Sequence, residues 1–397
     1  MEGWPFISVN VTAQDQSAEI AVAVFPLNNT MENTTDNPLS NVTAPAVNIA
    51  HKVISITLGF LIFLVGILGN VLVIWVVTRT KTMHSTTNCY LVSLAAADCI
   101  VLLTATLPFT LGQFYKYGII PYGIVSCALL TFFSYMGINV SSLSITAFTV
   151  ERYIAICHPM KAYTICTISR AKKIIIALWV FSALYSAPWL ALTKITPINE
   201  VNETTFNNCD YKLKRDHYFV YYLVDLVMFY ILPLCLTAVL YFLIGRVLFS
   251  SERTGAVADS IRRRNRKNEK NREEMGSIHK KSSTRSEQNP SSRIQIVKML
   301  AVIVVLFAVL WLPYRGLVVY NSVSSRPFLN EWFVLFCLMM IFLNSAINPI
   351  LYNAMSKRFQ RAFKRLLCRS AVKRKFGTGS NIHTTFSELQ KEDSIYR

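Results

Sequence analysis

Charged and amide side chains interrupt several long apolar stretches of the sequence. Asp98 lies within 91-LVSLAAADCIVLL-103, and amides occupy other apolar stretches at Asn70, Asn344 and Asn348. A polar group inside hydrocarbon costs roughly a few kcal/mol, so each one calls for a partner or a role. Together with Ser141, these groups could surround a hydrated cavity that binds a small cation, because oxygen ligands suit a hard ion. A purely structural hydrogen-bond network is the alternative.

A second polar feature places opposite charges side by side in the segment 148-FTVERYIAICHP-159. Apolar residues flank Glu151, Arg152 and Tyr153 on both sides. The charge pair could be catalytic, could mark a helix end that reaches water, or could belong to a conformational switch. The sequence contains no HExxH, no GxSxG and no pair of catalytic acids, so we expect no enzymatic activity.

A third group combines phenols, an amide and a guanidinium. Tyr135 and Asn139 are four residues apart, which places them on one face of a helix, and Tyr314 and Arg315 directly follow Pro313. Such groups hydrogen-bond carbonyls and amides, which favours a small peptide over a lipid as ligand. For Arg315 the alternative is an interfacial side chain that extends towards water.

The elements that must position these residues are membrane helices. Hydrophobic residues form 53% of the 397-residue chain and charged residues only 16%, which is too apolar for a water-soluble protein of this length. A bilayer core needs roughly 20 apolar residues per helix. Seven stretches qualify, at 53–77, 87–111, 125–156, 171–193, 218–249, 295–323 and 330–354.

The charge distribution predicts the orientation of these helices. Residues 1–51 contain no Lys or Arg, whereas 250–293 contain twelve and the tail from residue 357 contains eleven. By the positive-inside rule the N-terminus is extracellular and the basic segments are cytoplasmic. The net charge of +18 therefore indicates membrane topology and contacts with lipids rather than binding of nucleic acid.

Covalent modifications follow from this topology. N-glycosylation motifs on the predicted outer side occur at Asn10, Asn28, Asn33, Asn41 and Asn202. Cys127 and Cys209 face the oxidising side and can form a disulfide; two free thiols are the alternative. Cys368 closes 357-KRFQRAFKRLLC-368, whose apolar face predicts a helix on the inner leaflet, and is a candidate palmitoylation site.

The predicted fold is thus an all-α membrane protein, a seven-transmembrane helix bundle with a short amphipathic eighth helix. We divide the chain into a glycosylated extracellular tail, the membrane domain, the amphipathic helix and a cytoplasmic tail, at 1–50, 51–355, 356–368 and 369–397. Residues 250–293 form the third cytoplasmic loop, which has no apolar periodicity and is predicted to be disordered.

The motifs of the helices together resemble the rhodopsin-like (class A) G-protein-coupled receptors. They fall in order along the chain, at Asn70, Asp98, the ERY sequence at 151–153, Trp179, Pro233, FAVLWLP at 307–313 and NPILY at 348–352. This resemblance covers nearly all of 50–368. It implies location in the plasma membrane as a multi-pass protein.

Longer blocks resemble thyrotropin-releasing hormone receptors in particular, among them 137–162 and 298–315. That resemblance implies a tripeptide amide as ligand, with Tyr135, Asn139, Tyr314 and Arg315 as contacts. It also implies coupling to Gq-type G proteins, activation of phospholipase C and release of calcium. One position departs from the pattern: the family has an Arg eleven residues before the proline of NPxxY, and here that residue is Leu338. A related but different peptide is therefore the alternative ligand.

The resemblance further assigns an activation pathway. Helix 6 would swing about Pro313 as Phe307 and Trp311 repack, and a G-protein helix would meet Arg152, Tyr241 and Tyr352. Glu151 would restrain Arg152 at rest, next to Tyr153, while Asn348 and Pro349 belong to the same switch. Arg293, at the inner start of helix 6, is basic where some receptors carry an acid. Arrestin and receptor kinases are the further partners that this family implies.

Other classes of membrane protein fit less well. A retinal photoreceptor needs a lysine in helix 7, and residues 329–355 contain none. An ion-coupled transporter could use the Asp98 cavity, but the two halves of the chain show no repeat. We expect no cofactor apart from a candidate allosteric sodium ion at the polar centre formed by Asp98, Ser141, Asn344 and Asn348.

Overall fold

A computed structural model describes most of the membrane domain and short segments outside it. The described residues are 7–9, 20–22, 49–115, 123–198, 206–213, 215–248, 290–324, 328, 330–355 and 359–363. The predicted glycosylation sites Asn10, Asn28, Asn33, Asn41 and Asn202 lie outside these ranges, as do Cys368, the cytoplasmic tail and most of the third cytoplasmic loop.

Seven helices are long and apolar enough to cross a membrane, which confirms the predicted bundle. They are α1 (Ile49–Arg79), α2 (Thr86–Gly112), α3 (Ile124–Cys157), α4 (Ile168–Leu192), α5 (His217–Leu248), α6 (Ala301–Val323) and α7 (Glu331–Ala354). The helix that contains α6 begins earlier, at Pro290, inside the segment predicted to be a loop. Residues 359–363 are helical, and Phe359 packs into the core of the bundle, as expected for the eighth helix.

Short elements connect the spanning helices. A 3₁₀ turn covers Lys81–Met83 and a two-turn helix covers Pro159–Ile165. An antiparallel hairpin, Thr193–Ile198 with Phe206–Tyr211, links α4 to α5. A second small hairpin pairs Ile7–Val9 with Ile20–Val22.

Two prolines are preceded by wider, π-helical turns. Pro108 follows Leu102–Thr106 in α2, and Pro233 follows Val227–Ile231 in α5. Proline has no N–H to donate to the carbonyl four residues earlier, which for Pro233 is that of Phe229. Ser142 of α3 donates to this carbonyl instead, at 2.5 Å. In α4 the regular helix ends at Ser186 and resumes as Trp189–Leu192, with Pro188 between the two parts.

The bundle places polar groups inside and apolar groups outside. On α1, Leu61, Leu64 and Leu68 are exposed, whereas Asn70 is fully buried. Asn70 donates hydrogen bonds to the carbonyls of Gly66 and, on α7, of Ser345, both at 2.9 Å. This arrangement fits a protein whose outer surface is dissolved in lipid, because only the interior can satisfy polar side chains.

Candidate functional site

The outer half of α3 places Tyr135 and Asn139 in the centre of the bundle. Their four-residue spacing puts both on the inward face of the helix, where they are 1% and 0% exposed. Neither Nδ2 nor Oδ1 of Asn139 has a hydrogen-bond partner among the described residues. A buried amide with no partner costs about 1–3 kcal/mol, so this side chain is suited to receiving a polar group from elsewhere.

Aromatic rings from α4 and α5 close over Tyr135. The indole of Trp189 stacks on Tyr135 with a centroid distance of 4.4 Å and also stacks on Tyr218 at 5.6 Å. Trp189 Nε1 donates to the hydroxyl of Tyr221 at 3.0 Å, and that hydroxyl donates to the carbonyl of Tyr185 at 3.2 Å. Trp189 is completely buried, so the cluster is a tightly packed lid above Asn139.

The hairpin between α4 and α5 completes this lid. A disulfide joins Cys209 of the hairpin to Cys127 at the outer end of α3, with a Cα–Cα distance of 5.5 Å, which confirms the predicted pairing. Tyr211, two residues after Cys209, packs edge-on against Trp189 at 5.2 Å. Burial raises the pKa of the Tyr211 hydroxyl well above its ordinary value, so the group stays neutral at physiological pH.

On α6, Tyr314 is 1% exposed and Arg315 is 4% exposed. Nη1 of Arg315 forms an ion pair with Oδ2 of Asp225 on α5, at 2.9 Å. The guanidinium also lies 5.7 Å from the ring centroids of both Tyr230 and Trp311, within range of cation–π attraction. The alternative of an interfacial arginine extending to water therefore does not describe this structure, in which the side chain is buried.

The sequence reasoning missed Asp225 and Trp189. Asp225 could have been found by the rule applied to Asp98, because it is a carboxylate inside a membrane-spanning segment. The position of Trp189 in the sequence gave little indication of a site, since aromatic residues are common near the ends of membrane helices. Leu338, the departure from the family pattern, is 3% exposed and belongs to the apolar core.

Beneath this site, two of the expected residues hydrogen-bond to Asp98. Ser141 Oγ donates to Oδ1 of Asp98 at 3.2 Å, and Asn348 Nδ2 donates to Oδ2 at 2.8 Å. Asp98 is completely buried and Asn344 is 4% exposed. The structure thus brings α2, α3 and α7 together at one carboxylate.

Beneath the outer site, aromatic side chains of α5 and α6 pack on one another. Trp311 packs on Phe307 at 6.3 Å, and Phe307 packs on Tyr230 of α5 at 6.0 Å. The hydroxyl of Tyr230 donates to the carbonyl of Ala308 on α6, at 2.9 Å. Both Pro313 and Pro349 lie inside continuous helices.

The inner end of the bundle holds the charge pair of α3. Glu151 is 8% exposed, and neither its Oε1 nor Nε of Arg152 has a hydrogen-bond partner among the described residues. The hydroxyl of Tyr153 lies 3.3 Å from Nε2 of His158. Tyr241 and Tyr352 both line a small cavity above this end. The restraint of Arg152 by Glu151 stays a prediction.

Comparison with known proteins agrees with this architecture. Residues 69–352 match the family described as 7 transmembrane receptor (rhodopsin family). The chain is 47% identical to the thyrotropin-releasing hormone receptor of Gallus gallus over 329 residues, 83% of this chain and 82% of that one. It is 46% identical to the receptor of that name from Homo sapiens over 342 residues, 85% of this chain and 84% of the other.

A more distant relative matches a similar share of the chain. The growth hormone secretagogue receptor type 1 of Mus musculus is 33% identical over 327 residues, 80% of this chain and 82% of that receptor. These matches identify a multi-pass plasma-membrane receptor rather than an enzyme. The chain belongs to the rhodopsin family of seven-transmembrane receptors.

Proposed function

We propose that this protein is a receptor for a small peptide hormone, thyrotropin-releasing hormone or a close relative of it, and that it signals through Gq-type G proteins. The observation that carries the proposal is Asn139, a completely buried amide whose two polar atoms have no partner among the described residues. A peptide supplies both a carbonyl and an N–H, so its binding would satisfy the donor and the acceptor together.

The surroundings of Asn139 support the same class of ligand. Tyr135 lies one turn above it, and the rings of Trp189 and Tyr221 contact Tyr135 at centroid distances of 4.4 Å and 6.4 Å. Flat rings of this kind pack well against amide planes and small heterocycles. The relatives named thyrotropin-releasing hormone receptors, at 46% and 47% identity, point to a tripeptide amide.

Signalling would follow from a shift between two states of the bundle. Ligand in the outer site would press on Trp311 and Phe307 and bias α6 to pivot at Pro313. The inner end would then open, so that a G-protein helix meets Arg152, Tyr241 and Tyr352. Phospholipase C and calcium release would be the downstream response, and receptor kinases and arrestin would end it.

The proposal also includes sodium as an allosteric ion. The oxygen-rich set fits a small hard cation, because the Asp98 carboxylate accepts from Ser141 and Asn348, and Asn344 is buried one helical turn before Asn348. Oδ1 of Asn70 in the same region lacks a partner among the described residues. A bound sodium ion would supply positive charge that favours the resting packing of these helices.

Calcium release in cells that express the chain tests the proposed function. We expect thyrotropin-releasing hormone to evoke a response that a Gq inhibitor abolishes, while cells without the receptor stay silent. A surface-expressed receptor that answers no member of a panel of small peptides would contradict the proposal.

Leu338 favours a second candidate, a related peptide with a different C-terminal end. The family pattern has a charged donor here, and losing such a hydrogen bond costs about 1.5–3 kcal/mol. If the tripeptide amide is weak or silent and Leu338→Arg restores the response, the natural ligand lacks the group that this donor would hold. An unchanged response in Leu338→Arg, whose surface expression is matched, would exclude this explanation.

A further inference from the structure

Two opposite charges buried on the helices of the outer site form an ion pair. Among the described residues in the outer halves of α3, α5, α6 and α7, Asp225 and Arg315 are the buried charged side chains, with side-chain exposures of 1% and 5%. Their charges cancel at an N–O distance of 2.9 Å. Since Leu338 adds no charge on α7, these four helices contribute no net buried charge to the site; the overlying hairpin adds the buried carboxylate of Asp210.

The pair lies beside the proposed ligand contacts. Asp225 is one helical turn inward from Tyr221, whose ring contacts Tyr135. Arg315 is adjacent to the buried Tyr314 and lies over the ring of Trp311. A ligand that reaches Asn139 beneath the aromatic lid therefore enters the electric field of both charges.

One oxygen of the carboxylate remains available. Oδ2 of Asp225 accepts from Arg315, whereas Oδ1 is buried and has no hydrogen-bond partner among the described residues. This unpaired acceptor would attract an N–H donor and repel an anion. In a site of low dielectric constant, where charges interact much more strongly than in water, such repulsion discriminates between ligands.

We infer that Asp225 is a specificity-determining residue of the ligand site: by neutralising Arg315 it makes the site select peptides with an uncharged, amidated C-terminus over peptides that end in a carboxylate. The inference rests on the proposed function. If the pair had only the structural role of joining α5 to α6, its loss would change the affinities for both kinds of peptide equally. The inference instead predicts a change in the ratio of the affinity for the amide to that for the acid.

The test compares thyrotropin-releasing hormone with its free acid, which differs from it by a carboxylate in place of the terminal amide. Competition binding to membranes from expressing cells gives the affinity ratio of amide to acid. Asp225→Asn, with one uncompensated positive charge, should lower the ratio about tenfold. Arg315→Gln, with one uncompensated negative charge, should raise it by about the same factor.

Two further variants complete the design. The double variant Asp225→Asn/Arg315→Gln is again neutral and should return the ratio to within about threefold of the wild type. Glu331→Gln removes a charge at the outer start of α7, where solvent screens it, and should leave the ratio unchanged. If Asp225→Asn does not reach the membrane, Arg315→Gln and the double variant decide the question.

The outcomes separate the inference from the proposed function. Equal losses of affinity for both probes, with a constant ratio, would show that the pair is only structural and would overturn the inference while leaving the receptor assignment intact. If the wild type binds neither probe, the tripeptide assignment fails and the role given to Asp225 fails with it. A ratio that follows the net charge of the pair supports the inference.

Discussion

At the scale of single residues, the outer site contains buried polar groups that have no partner within the described part of the chain. Asn139 is completely buried with no partner among the described residues, and Asp225 has one oxygen in the same condition. Buried polar groups are normally hydrogen-bonded. Such exceptions on the helices beneath an aromatic lid are therefore the expected mark of a site that a polar ligand completes.

Replacing Asn139 with Ala should weaken agonist binding by about 1–3 kcal/mol, roughly tenfold to a hundredfold in affinity, because the ligand loses its partner. Ser134→Ala is the matched control on the same helix, since Ser134 donates to Thr104 of α2, at 2.9 Å, rather than facing the site. Concentration–response curves for calcium release measure the shift. Equal potency for the two variants would remove Asn139 from the ligand site.

At the inner end, Glu151→Gln should raise signalling in the absence of ligand, because the neutral amide no longer restrains Arg152. Accumulation of inositol phosphates at matched surface expression measures this activity, with Gln360→Ala in the helical segment 359–363 as a control. An unchanged basal level in Glu151→Gln would contradict the restraint.

Glu151 also affects the pKa of a neighbouring thiol, that of Cys166. Burial, and then the Glu151 carboxylate, raise the pKa of the Cys166 thiol to about 11 from the ordinary value of 9.0. The thiolate is thus about a hundredfold scarcer at pH 8 than for an unperturbed cysteine, and it forms only as the pH rises towards 11. Glu151→Gln removes one of the raising influences, so the pKa should fall.

We therefore expect Glu151→Gln to speed the alkylation of Cys166 at pH 8. Mass spectrometry of the digested receptor follows the reaction, with Cys157 in the same digest as an internal reference. A Cys166 rate that is the same in both proteins would show that the carboxylate does not influence the thiol.

At the scale of helices, close approach depends on small residues at the contact points. A Cβ added at Gly69 of α1 would lie 2.8 Å from Cβ of Pro349 on α7, which is shorter than atoms tolerate. On α3, a Cβ at Gly137 would lie 2.9 Å from Val101 of α2. These glycines let α1 and α3 pack directly on the helices that hold the polar centre, as small residues do in membrane bundles.

Gly69→Val should destabilise the receptor by about 1–3 kcal/mol, because α1 and α7 must separate to make room for the side chain. Gly245→Val on α5 is the matched control, since no atom lies within 4 Å of a Cβ built there and the helix-propensity cost is the same. Thermal unfolding of the purified receptors measures both. Equal unfolding temperatures would mean that the contact at Pro349 relaxes without cost.

At the scale of the whole molecule, the outer site and the inner end are joined through one buried centre. Asp98 accepts from Ser141 of α3 and Asn348 of α7, and Asn348 begins the sequence that ends in Tyr352 near the inner cavity. If ligand binding at the outer site favours one packing of these helices, a partner that binds the same packing at the inner end must raise the affinity for the ligand. Coupling between two binding sites is reciprocal.

If sodium binds at this centre, Asp98→Asn should abolish the effect of sodium on agonist affinity. The wild type should bind agonist more weakly in sodium chloride than in choline chloride at the same ionic strength. Ser93→Ala is a control on the same helix, where Ser93 contacts Ser144 at 3.2 Å. A sodium effect that survives in Asp98→Asn would place the ion elsewhere.

The sequence by itself determined the seven spans, their orientation, the Cys127–Cys209 pairing and the family. These properties depend on local composition, on the distribution of charge and on motifs within single helices, so they can be predicted without knowing which helices touch. The same locality explains why Tyr135 and Asn139 were placed correctly on one face of α3.

Only the tertiary structure decided what each of these side chains meets. Arg315 and Asp225 are 90 residues apart, and Trp189 reaches Tyr135 from a different helix with its indole held by Tyr221. A pattern of residue types does not specify the rotation and depth at which helices pack, and those two quantities decide whether a buried charge faces a ligand, a counter-charge or both.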